Sequence, residues 1–487
     1  MKMARAVNSR LLAGVHSNGV TGQFNAPEGT QGRALVERVA QASIAAFFVY
    51  GAGIGLTYCS QLVIARIVGV DTYGIYAYVF SWMVVLTNFS TLGFDVAVLR
   101  FLPAYQTDRA SSLARGMIEY AQRRAAVVSF SLICVGAFVV LARGSPSELR
   151  NSFLVGFALV PIMTLVRIRC SVVRALGGVV SALVPDRVVR DGMVIGLLGI
   201  ASCWLNWTID APSTIAVAVI GSMVGFGCTG LALRWRRPRA ISAAVPVYDA
   251  PAWRRAAIPL VIIGATEVLM NRTGVILLGW FGDTTSAGIY SLVFNIALVV
   301  TLPRIAVNTI FAPEISGLYV RNDKAMMQVL VTRAASWTLG GGICIAFGIY
   351  MLAGPLLAWF GAGYEAGVSA LRILLVSQVI TAGAGSQLHV MTMTGHERSA
   401  AVLLIPSAVA NAVASTALIH ALGLTGAAIG TAIAFIIWNI AMSMFLWRRL
   451  RLFPGVLAMF RVPSPRLAII GAWLSSRIHK SAARQKN

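Results

Sequence analysis

Charged side chains inside long apolar stretches are the residues of this chain best suited to chemistry. Glu267, Asn271 and Arg272 share one apolar run, while Arg304 and Arg372 lie in two later runs. Ionisable groups at membrane depth are costly and usually face a polar cavity. Because about 140° separates Glu267 from Arg272 around a helix, we expect these two to take different partners or to line different parts of one cavity.

The three arginines predict a cationic interior in the second half of the chain. Arg304 directly follows Pro303, far from the end of its run, and Arg372 lies early in its own run. Alternative roles stay open for each. Arg372 could extend its long side chain to the membrane interface, and Glu267 could belong to a buried structural ion pair.

The first half of the chain offers fewer such groups. Asp95 and Arg100 end the second apolar run, in TLGFDVAVLRFLP, and we expect them to pair near its cytosolic mouth. That pair is either structural or a second coupling group beside Glu267.

Signatures of enzymes and of cofactor sites are missing from the sequence. It has no Gly-rich phosphate loop with Lys and Ser/Thr, no HExxH motif and no paired carboxylates on a long loop. The six cysteines are scattered singly, without metal-ligand spacing, and we expect them to be small buried hydrophobic residues. We therefore predict no metal, no cofactor and no catalytic residue.

The elements that must position these side chains are membrane-spanning helices. The mean hydropathy is +0.77, and the charged fraction of 12% is about half that of soluble domains. Apolar runs of about 20 residues match the ~30 Å hydrocarbon layer. We predict an all-α polytopic membrane protein with twelve spans, at 40–64, 74–97, 124–142, 152–168, 186–204, 213–233, 257–280, 287–310, 335–353, 368–390, 400–420 and 424–446.

The basic residues indicate which side of the membrane each link occupies. The net charge is +23, yet the Lys and Arg residues cluster in every second link, and the opposite links hold only Arg66, Arg143 and Arg150. This is the positive-inside pattern. It argues against a nucleic-acid partner and predicts both termini in the cytosol.

An internal repeat indicates two lobes. DTYGIYAYVF at 71–80 recurs as DTTSAGIYSLVF at 283–294, on corresponding turns that the charge pattern places outside the cell. We therefore predict parallel repeats related by an axis along the membrane normal. The predicted segments are a polar leader (1–38), an N-lobe (39–233), a basic cytosolic linker (234–256), a C-lobe (257–447) and a basic tail (448–487) with an interfacial helix near 467–478.

Small residues four apart predict close helix packing within these lobes. The pairs are Gly51 and Gly55, Gly192 and Gly196, Gly221 and Gly225, and Gly426 and Gly430.

Two segments carry a resemblance to a known family. LVIARIVGVDTYGIYAYVFSWMVVLTNFSTLGFDVAVLRFLPAYQ (62–106) resembles the N-terminal signature of polysaccharide-type flippases of the MOP superfamily. MTGHERSAAVLLIPSAVANAVASTALIHALGLTGAAIGTAIAFIIWN (393–439) resembles that family's last two helices, with matching TG, Asn411 and GLTGAA elements.

The resemblance implies two six-helix lobes around a cavity that opens alternately to each side of the bacterial inner membrane. It implies an undecaprenyl-pyrophosphate-linked oligosaccharide as substrate, with a polysaccharide polymerase and export machinery as further partners. Arginine forks match phosphate oxygens, so Arg272 and Arg304 are the candidates for the pyrophosphate. Glu267 and Asn271 are candidates for sugar contact, and Glu267 also for cation coupling.

Three alternatives stay open. The same superfamily contains multidrug/cation antiporters, which usually carry an acid in an early helix, whereas the first span here has none. It also contains lipid II flippases, which typically have two further C-terminal helices. A membrane-embedded glycan polymerase or glycosyltransferase would need acidic or histidine-bearing outer loops, and these are almost lacking.

Overall fold

The chain folds into helices of widely different length. The computed structural model describes residues 30–203, 209–456 and 458, and no strand occurs in them. The α-helices are α1 (Thr30–Ser90), α2 (Phe94–Thr107), α3 (Ser111–Ala142), α4 (Ser147–Gly156), α5 (Leu159–Ala175), α6 (Val179–Val184), α7 (Arg190–Cys203), α8 (Ala211–Arg236), α9 (Arg239–Ala243), α10 (Ala250–Trp280), α11 (Thr284–Leu298), α12 (Leu302–Val320), α13 (Lys324–Met351), α14 (Ala353–Ala358), α15 (Val368–Ala384), α16 (Gln387–Met393) and α17 (Glu397–Phe445).

The long helices account for the predicted spans. Within the described ranges, nine apolar helical segments are long enough to cross a bilayer. Two of these are double length, 57 and 54 residues, and they bend at Gly69 and Gly423, whose backbone leaves the helical region. A further span was predicted at 186–204, where α7 is described over 14 residues. The protein is a multi-pass membrane protein.

Several predicted boundaries differ from the helices observed. Helix α1 begins at Thr30, so residues 30–38, assigned to the polar leader, are helical. The predicted linker contains α9 and the start of α10, and a π-helical turn, Pro185–Val189, precedes α7. The predicted interfacial helix near 467–478 lies outside the described residues.

The described chain divides into two compact units. The first contains residues 30–67 and 86–261, and the second contains residues 68–85 and 262–456. Helix α1 therefore contributes its middle stretch, which carries the first copy of the repeat, to the unit that also holds the second copy.

The two copies of the repeat pack directly against each other in the second unit. A Cβ at Gly74 would lie 2.3 Å from the backbone oxygen of Thr284, and a Cβ at Gly288 would lie 2.6 Å from the Cα of Gly74. Any side chain at either position would collide with backbone. The glycine of the repeated Gly-Ile-Tyr sequence is therefore the point where the two backbones touch.

The basic linker is part of the first unit's folded structure. Trp253 is fully buried, and its indole Nε1 donates a 2.9 Å hydrogen bond to the Tyr105 hydroxyl. The backbone oxygen of Val247 would lie 1.9 Å from a Cβ at Gly116, so the linker passes directly over α3. The segment predicted to run along the cytosolic membrane surface therefore also packs against the helices of the first unit, and its position relative to the membrane stays a prediction.

The glycine pairs divide into two groups. Gly221, Gly225, Gly426 and Gly430 face backbone or side-chain atoms that a Cβ would approach within 3.1 Å or less, as predicted. Gly51, Gly55 and Gly196 have no described atom within 4 Å of such a Cβ, and Gly192 has only the Leu56 side chain at 3.7 Å, so the close packing predicted for these two pairs is absent from the described structure. Sequence spacing defines a helix face, but not whether another helix covers it.

The cysteine prediction was wrong at most of the positions described. Cys170 is buried, but Cys59, Cys134 and Cys344 are exposed. These three lie on membrane helices, where an exposed apolar side chain meets lipid and gains nothing from burial in protein.

Candidate functional site: a charged cavity in the second unit

A polar cavity lies wholly within the second unit. Its volume is about 530 Å³, within the ~300–1,000 Å³ range of small-molecule sites. Two oppositely charged residues, Glu267 and Arg304, line it. The other polar lining residues are Asn308, Thr381, Ser386, Gln387, His389, Trp438 and Asn439.

Part of the cavity lining comes from residues at a break between two helices. Helix α15 ends at Ala384 and is followed by Gly385, whose φ of 79° is one that favours glycine. The chain restarts as α16, and this break turns Ser386, Gln387 and His389 toward the cavity. Such irregular backbone at membrane depth is tolerated where it is buried in protein or lines a cavity.

A second interruption of the helices positions Arg304. A short 3₁₀ turn, Val299–Thr301, separates α11 from α12, and Pro303 follows at the start of α12. Proline suits a helix start because its missing N–H has no intrahelical partner there. Arg304 thus lies in the first turn of α12, and Glu267 lies in the middle of α10.

Hydrogen bonds hold the amide side chains in place. The Ser386 hydroxyl donates to Oδ1 of Asn308. The Gln387 amide donates to the Ser443 hydroxyl over 2.6 Å, and the Asn439 amide donates to the Thr381 hydroxyl over 3.1 Å. The cavity wall is therefore an ordered polar network that links four helices.

The two charged groups of the cavity face each other without forming an ion pair. Glu267 and Arg304 are half-buried and interact electrostatically, but no contact of 4 Å or less joins them in the described structure. The His389 ring also lies within electrostatic range of Arg304. An anion beside Arg304 and a proton or cation on Glu267 are the ligands this arrangement suits.

The remaining predicted residues lie away from this cavity. Asn271 and Arg272 do not line it, and Arg272 acts electrostatically on Tyr73 instead. The expectation that Glu267 and Arg272 take different surroundings is met. The Arg372 side chain is exposed, with its guanidinium 4.9 Å from the centre of the Tyr350 ring.

The expected pairing of Asp95 with Arg100 is absent. Asp95 is half-buried in the first turn of α2, Arg100 is exposed, and no ion pair joins them in the described residues. Positions five apart on a helix point about 140° away from each other, which explains the separation.

The lining residues that the sequence analysis missed include Asn308, Thr381, Ser386, Trp438 and Asn439. A signal existed for two of them, because the dipeptide Trp438–Asn439 interrupts the apolar run AFIIWNIAM. It was overlooked because isolated amides in a span are often packing residues.

The first unit contains a buried acid of its own. Asp191 is 5% exposed, accepts a 2.9 Å hydrogen bond from Nε of Arg190, and accepts another from the Thr57 hydroxyl. The first span thus has no acid in its sequence but meets one supplied by α7. Arg190 balances the negative charge of Asp191, so the buried carboxylate already has a partner of opposite charge.

The family profile for polysaccharide biosynthesis proteins matches residues 39–313, more than half of the chain. The chain belongs to the polysaccharide biosynthesis protein family. The match contains both copies of the repeat together with Glu267, Arg272 and Arg304. No curated protein sequence matches the chain.

Solved structures resemble this family member in fold. Lipid II flippase MurJ in an inward closed conformation aligns at a TM-score of 0.65 and 16% identity, over 84% of this chain and 87% of that one. An inward-facing multidrug resistance MATE family transporter of the MOP superfamily aligns at 0.64 and 15% identity, over 84% and 96%. MATE in complex with MaL6 aligns at 0.62 and 16% identity, over 85% and 95%.

These likenesses establish the fold of this family member. It is an all-α membrane protein of about twelve spans in two pseudo-symmetric six-helix lobes, as the repeat and the hydropathy predicted. The solved structures that share this fold are, by their own descriptions, a lipid II flippase and multidrug resistance transporters.

Proposed function

We propose that this protein is a flippase that moves undecaprenyl-pyrophosphate-linked oligosaccharides from the cytosolic to the outer leaflet of the bacterial inner membrane. The observation that carries the proposal is the placement of Arg304 and Glu267 in one polar cavity within the membrane spans. The family match to polysaccharide biosynthesis proteins supports a lipid-linked glycan as cargo. The positive-inside charge pattern supports cytosolic termini.

In this proposal Arg304 binds the pyrophosphate. A pyrophosphate that leaves water needs cations and hydrogen-bond donors to replace its hydration, and the guanidinium supplies both in a planar fork. Glu267 takes up a proton or cation and so couples transport to a gradient. Its charge would otherwise partly cancel that of Arg304, so protonation of Glu267 strengthens anion binding.

The residues outside the cavity take other positions along the route. Asn271, Arg272 and Arg372 would contact the substrate before or after it occupies the cavity, and Asp95 would serve as an acidic group of the first unit. Transient partners are the polysaccharide polymerase and the export machinery, which would receive the flipped units.

The decisive experiment replaces Arg304 in the full-length chain and measures flipping of the native lipid-linked oligosaccharide in proteoliposomes. Arg304→Ala should lower flipping about tenfold or more, since a hydrogen bond to a charged group contributes ~1.5–3 kcal/mol. Arg304→Lys should retain part of the activity, because the charge remains but the fork is lost. The control is Arg398→Ala, at an exposed arginine of α17 outside the cavity. Wild-type flipping by Arg304→Ala, with normal insertion, would refute the assignment.

A second candidate function is antiport of an organic cation. It is favoured by the buried Asp191 against the first span and by Glu267 in the second unit. Arg304 distinguishes the two, because a cation would bind better once that positive charge is removed. If Arg304→Ala increases uptake of a cationic dye and leaves oligosaccharide flipping unchanged, the antiporter assignment replaces the flippase assignment. The chain offers no observation that favours a polymerase or glycosyltransferase.

A further inference from the structure

The side of the cavity formed by α17 differs in character from the charged side. Trp438 and Asn439 are consecutive residues there, and both line the cavity with half-buried side chains. The Trp438 ring packs near Phe435, with ring centres 6.0 Å apart, and also borders the polar lining. An aromatic surface beside amides and hydroxyls suits a ligand with one apolar face and many hydroxyl groups.

The hydrogen bonds inside the wall determine what remains for a ligand. The amide nitrogens of Gln387 and Asn439 donate to protein acceptors, and Oδ1 of Asn308 accepts from Ser386. No described residue bonds the carbonyl oxygens of Gln387 and Asn439 or the amide nitrogen of Asn308. Two acceptors and one donor are therefore free at the cavity wall. Sugar hydroxyls, which both donate and accept, match this set.

We infer that Trp438, Asn439, Asn308 and Gln387 form a sugar-ring subsite beside the Arg304 anion site, an inference that rests on the proposed function. The ring's C–H face lies on the Trp438 indole, and its hydroxyl groups bond the three amides. With the sugar on Trp438 and the pyrophosphate on Arg304, the bond that links them lies between these two residues. Trp438 is thus a specificity residue for the sugar part of the cargo.

A competing ligand class fits this wall less well. An organic cation would be attracted to the Trp438 ring and to Glu267, but Arg304 would repel it in the same cavity. It would also offer no hydroxyl groups to the free amide groups of the wall. A sugar linked to an anion satisfies both the amides and Arg304.

The test compares two probes on the purified full-length chain in nanodiscs. The first is the lipid-linked oligosaccharide extracted from cells that lack this chain and therefore accumulate its cargo. The second is undecaprenyl pyrophosphate, which has no sugar. The variants are Trp438→Leu, Trp438→Phe, Asn439→Ala and Arg304→Ala. The matched control is Trp337→Leu, at an exposed tryptophan of the same unit that does not line the cavity.

Trp438→Leu should weaken binding of the oligosaccharide probe about tenfold and leave undecaprenyl pyrophosphate unchanged, whereas Arg304→Ala should weaken both. Trp438→Phe, which keeps an aromatic face, should retain most of the affinity. Asn439→Ala should weaken only the oligosaccharide probe. The subsite would be overturned if Trp438→Leu lost equal affinity for both probes, or if neither Trp438→Leu nor Asn439→Ala lost affinity for the oligosaccharide. In either case a loss of binding in Arg304→Ala would still support the flippase. If the wild-type chain binds neither probe, the proposed function itself falls.

Discussion

The Thr285 hydroxyl donates a 2.6 Å hydrogen bond to the carboxylate of Asp71. Asp71 is the first residue of the first copy of the repeated segment, and Thr285 is the third residue of the second copy, more than two hundred positions later in the sequence. A few residues further on, Gly74 and Gly288 bring the two backbones into contact. The repeat therefore indicates a duplication, and its two copies also form a packing interface inside the second unit.

The close approach of these backbones predicts that Gly74 tolerates no side chain. Gly74→Ala should destabilise the chain by roughly 1–3 kcal/mol, because its Cβ would overlap the backbone oxygen of Thr284 and backbone cannot rotate away. The melting temperature in detergent should fall by several degrees. The control is Gly340→Ala, at a helical glycine with no described atom within 4 Å, which should leave the melting temperature unchanged or raise it slightly. Equal behaviour of the two variants would contradict the contact.

The bond between Asp71 and Thr285 predicts a gate. The positive-inside pattern predicts that this contact lies at the outer end of the spans. The proposed alternating-access flippase must open that end to release cargo. In a cysteine-free background, Asp71→Cys combined with Thr285→Cys should be joined by a short reducible thiol cross-linker. Flipping in proteoliposomes should then fall to background and return after reduction. Full activity of the cross-linked protein would show that this contact does not open during transport.

Asn411 is the centre of a buried hydrogen-bond network between helices. Its amide nitrogen donates to the backbone oxygen of Met270 over 3.0 Å, and its Oδ1 accepts from the Ser415 hydroxyl over 3.1 Å. Asn411→Leu should lower thermal stability by an amount equivalent to about 1–2 kcal/mol, the usual range for interhelical hydrogen bonds in membranes. Thr425→Ala is the control, since the hydroxyl of that half-buried residue bonds only the backbone oxygen of Leu422 in the same helix. An unchanged melting temperature in Asn411→Leu would show that this hydrogen-bond network does not stabilise the protein.

The sequence was most informative where a property repeats along the chain. Hydropathy predicted the spans, and the 3.6-residue helical period correctly separated the environments of Glu267 and Arg272. It could not show that Arg304 approaches Glu267, because that proximity depends on how α10 and α12 pack. The same limit applies to Trp438 and Asn439, which line one cavity with Gln387 because the chain breaks at Gly385. At Asp95 and Arg100 the pairing was inferred from nearness in sequence, although the same helical period places positions five apart about 140° from each other.

Glycine spacing alone also could not predict which helix faces are in contact. Gly426 and Gly430 are crowded by Leu418 and Ser415, whereas Gly51 and Gly55 have open space beside them in the described structure. The four residues look alike in sequence, since small side chains are needed at helix contacts but also occur on uncovered faces. Only the position of the neighbouring chain distinguishes the two cases.

Trp253 fixes the linker to the first unit and predicts a measurable effect of its removal. Trp253→Ala should destabilise that unit by about 3–5 kcal/mol, because a fully buried indole leaves a large cavity. Trp253→Phe keeps most of the packing but loses the hydrogen bond to Tyr105, so it should cost only about 1 kcal/mol. The linker is rich in arginine, and its release should expose it to trypsin. We therefore expect cleavage between residues 234 and 255 to be fast in Trp253→Ala, intermediate in Trp253→Phe and slow in the wild-type chain. Trp235→Ala is the matched control, since that tryptophan is 78% exposed beside the same segment, and its cleavage rate should equal that of the wild type. Identical cleavage of Trp253→Ala and Trp235→Ala would mean that the linker is held in place without the buried indole.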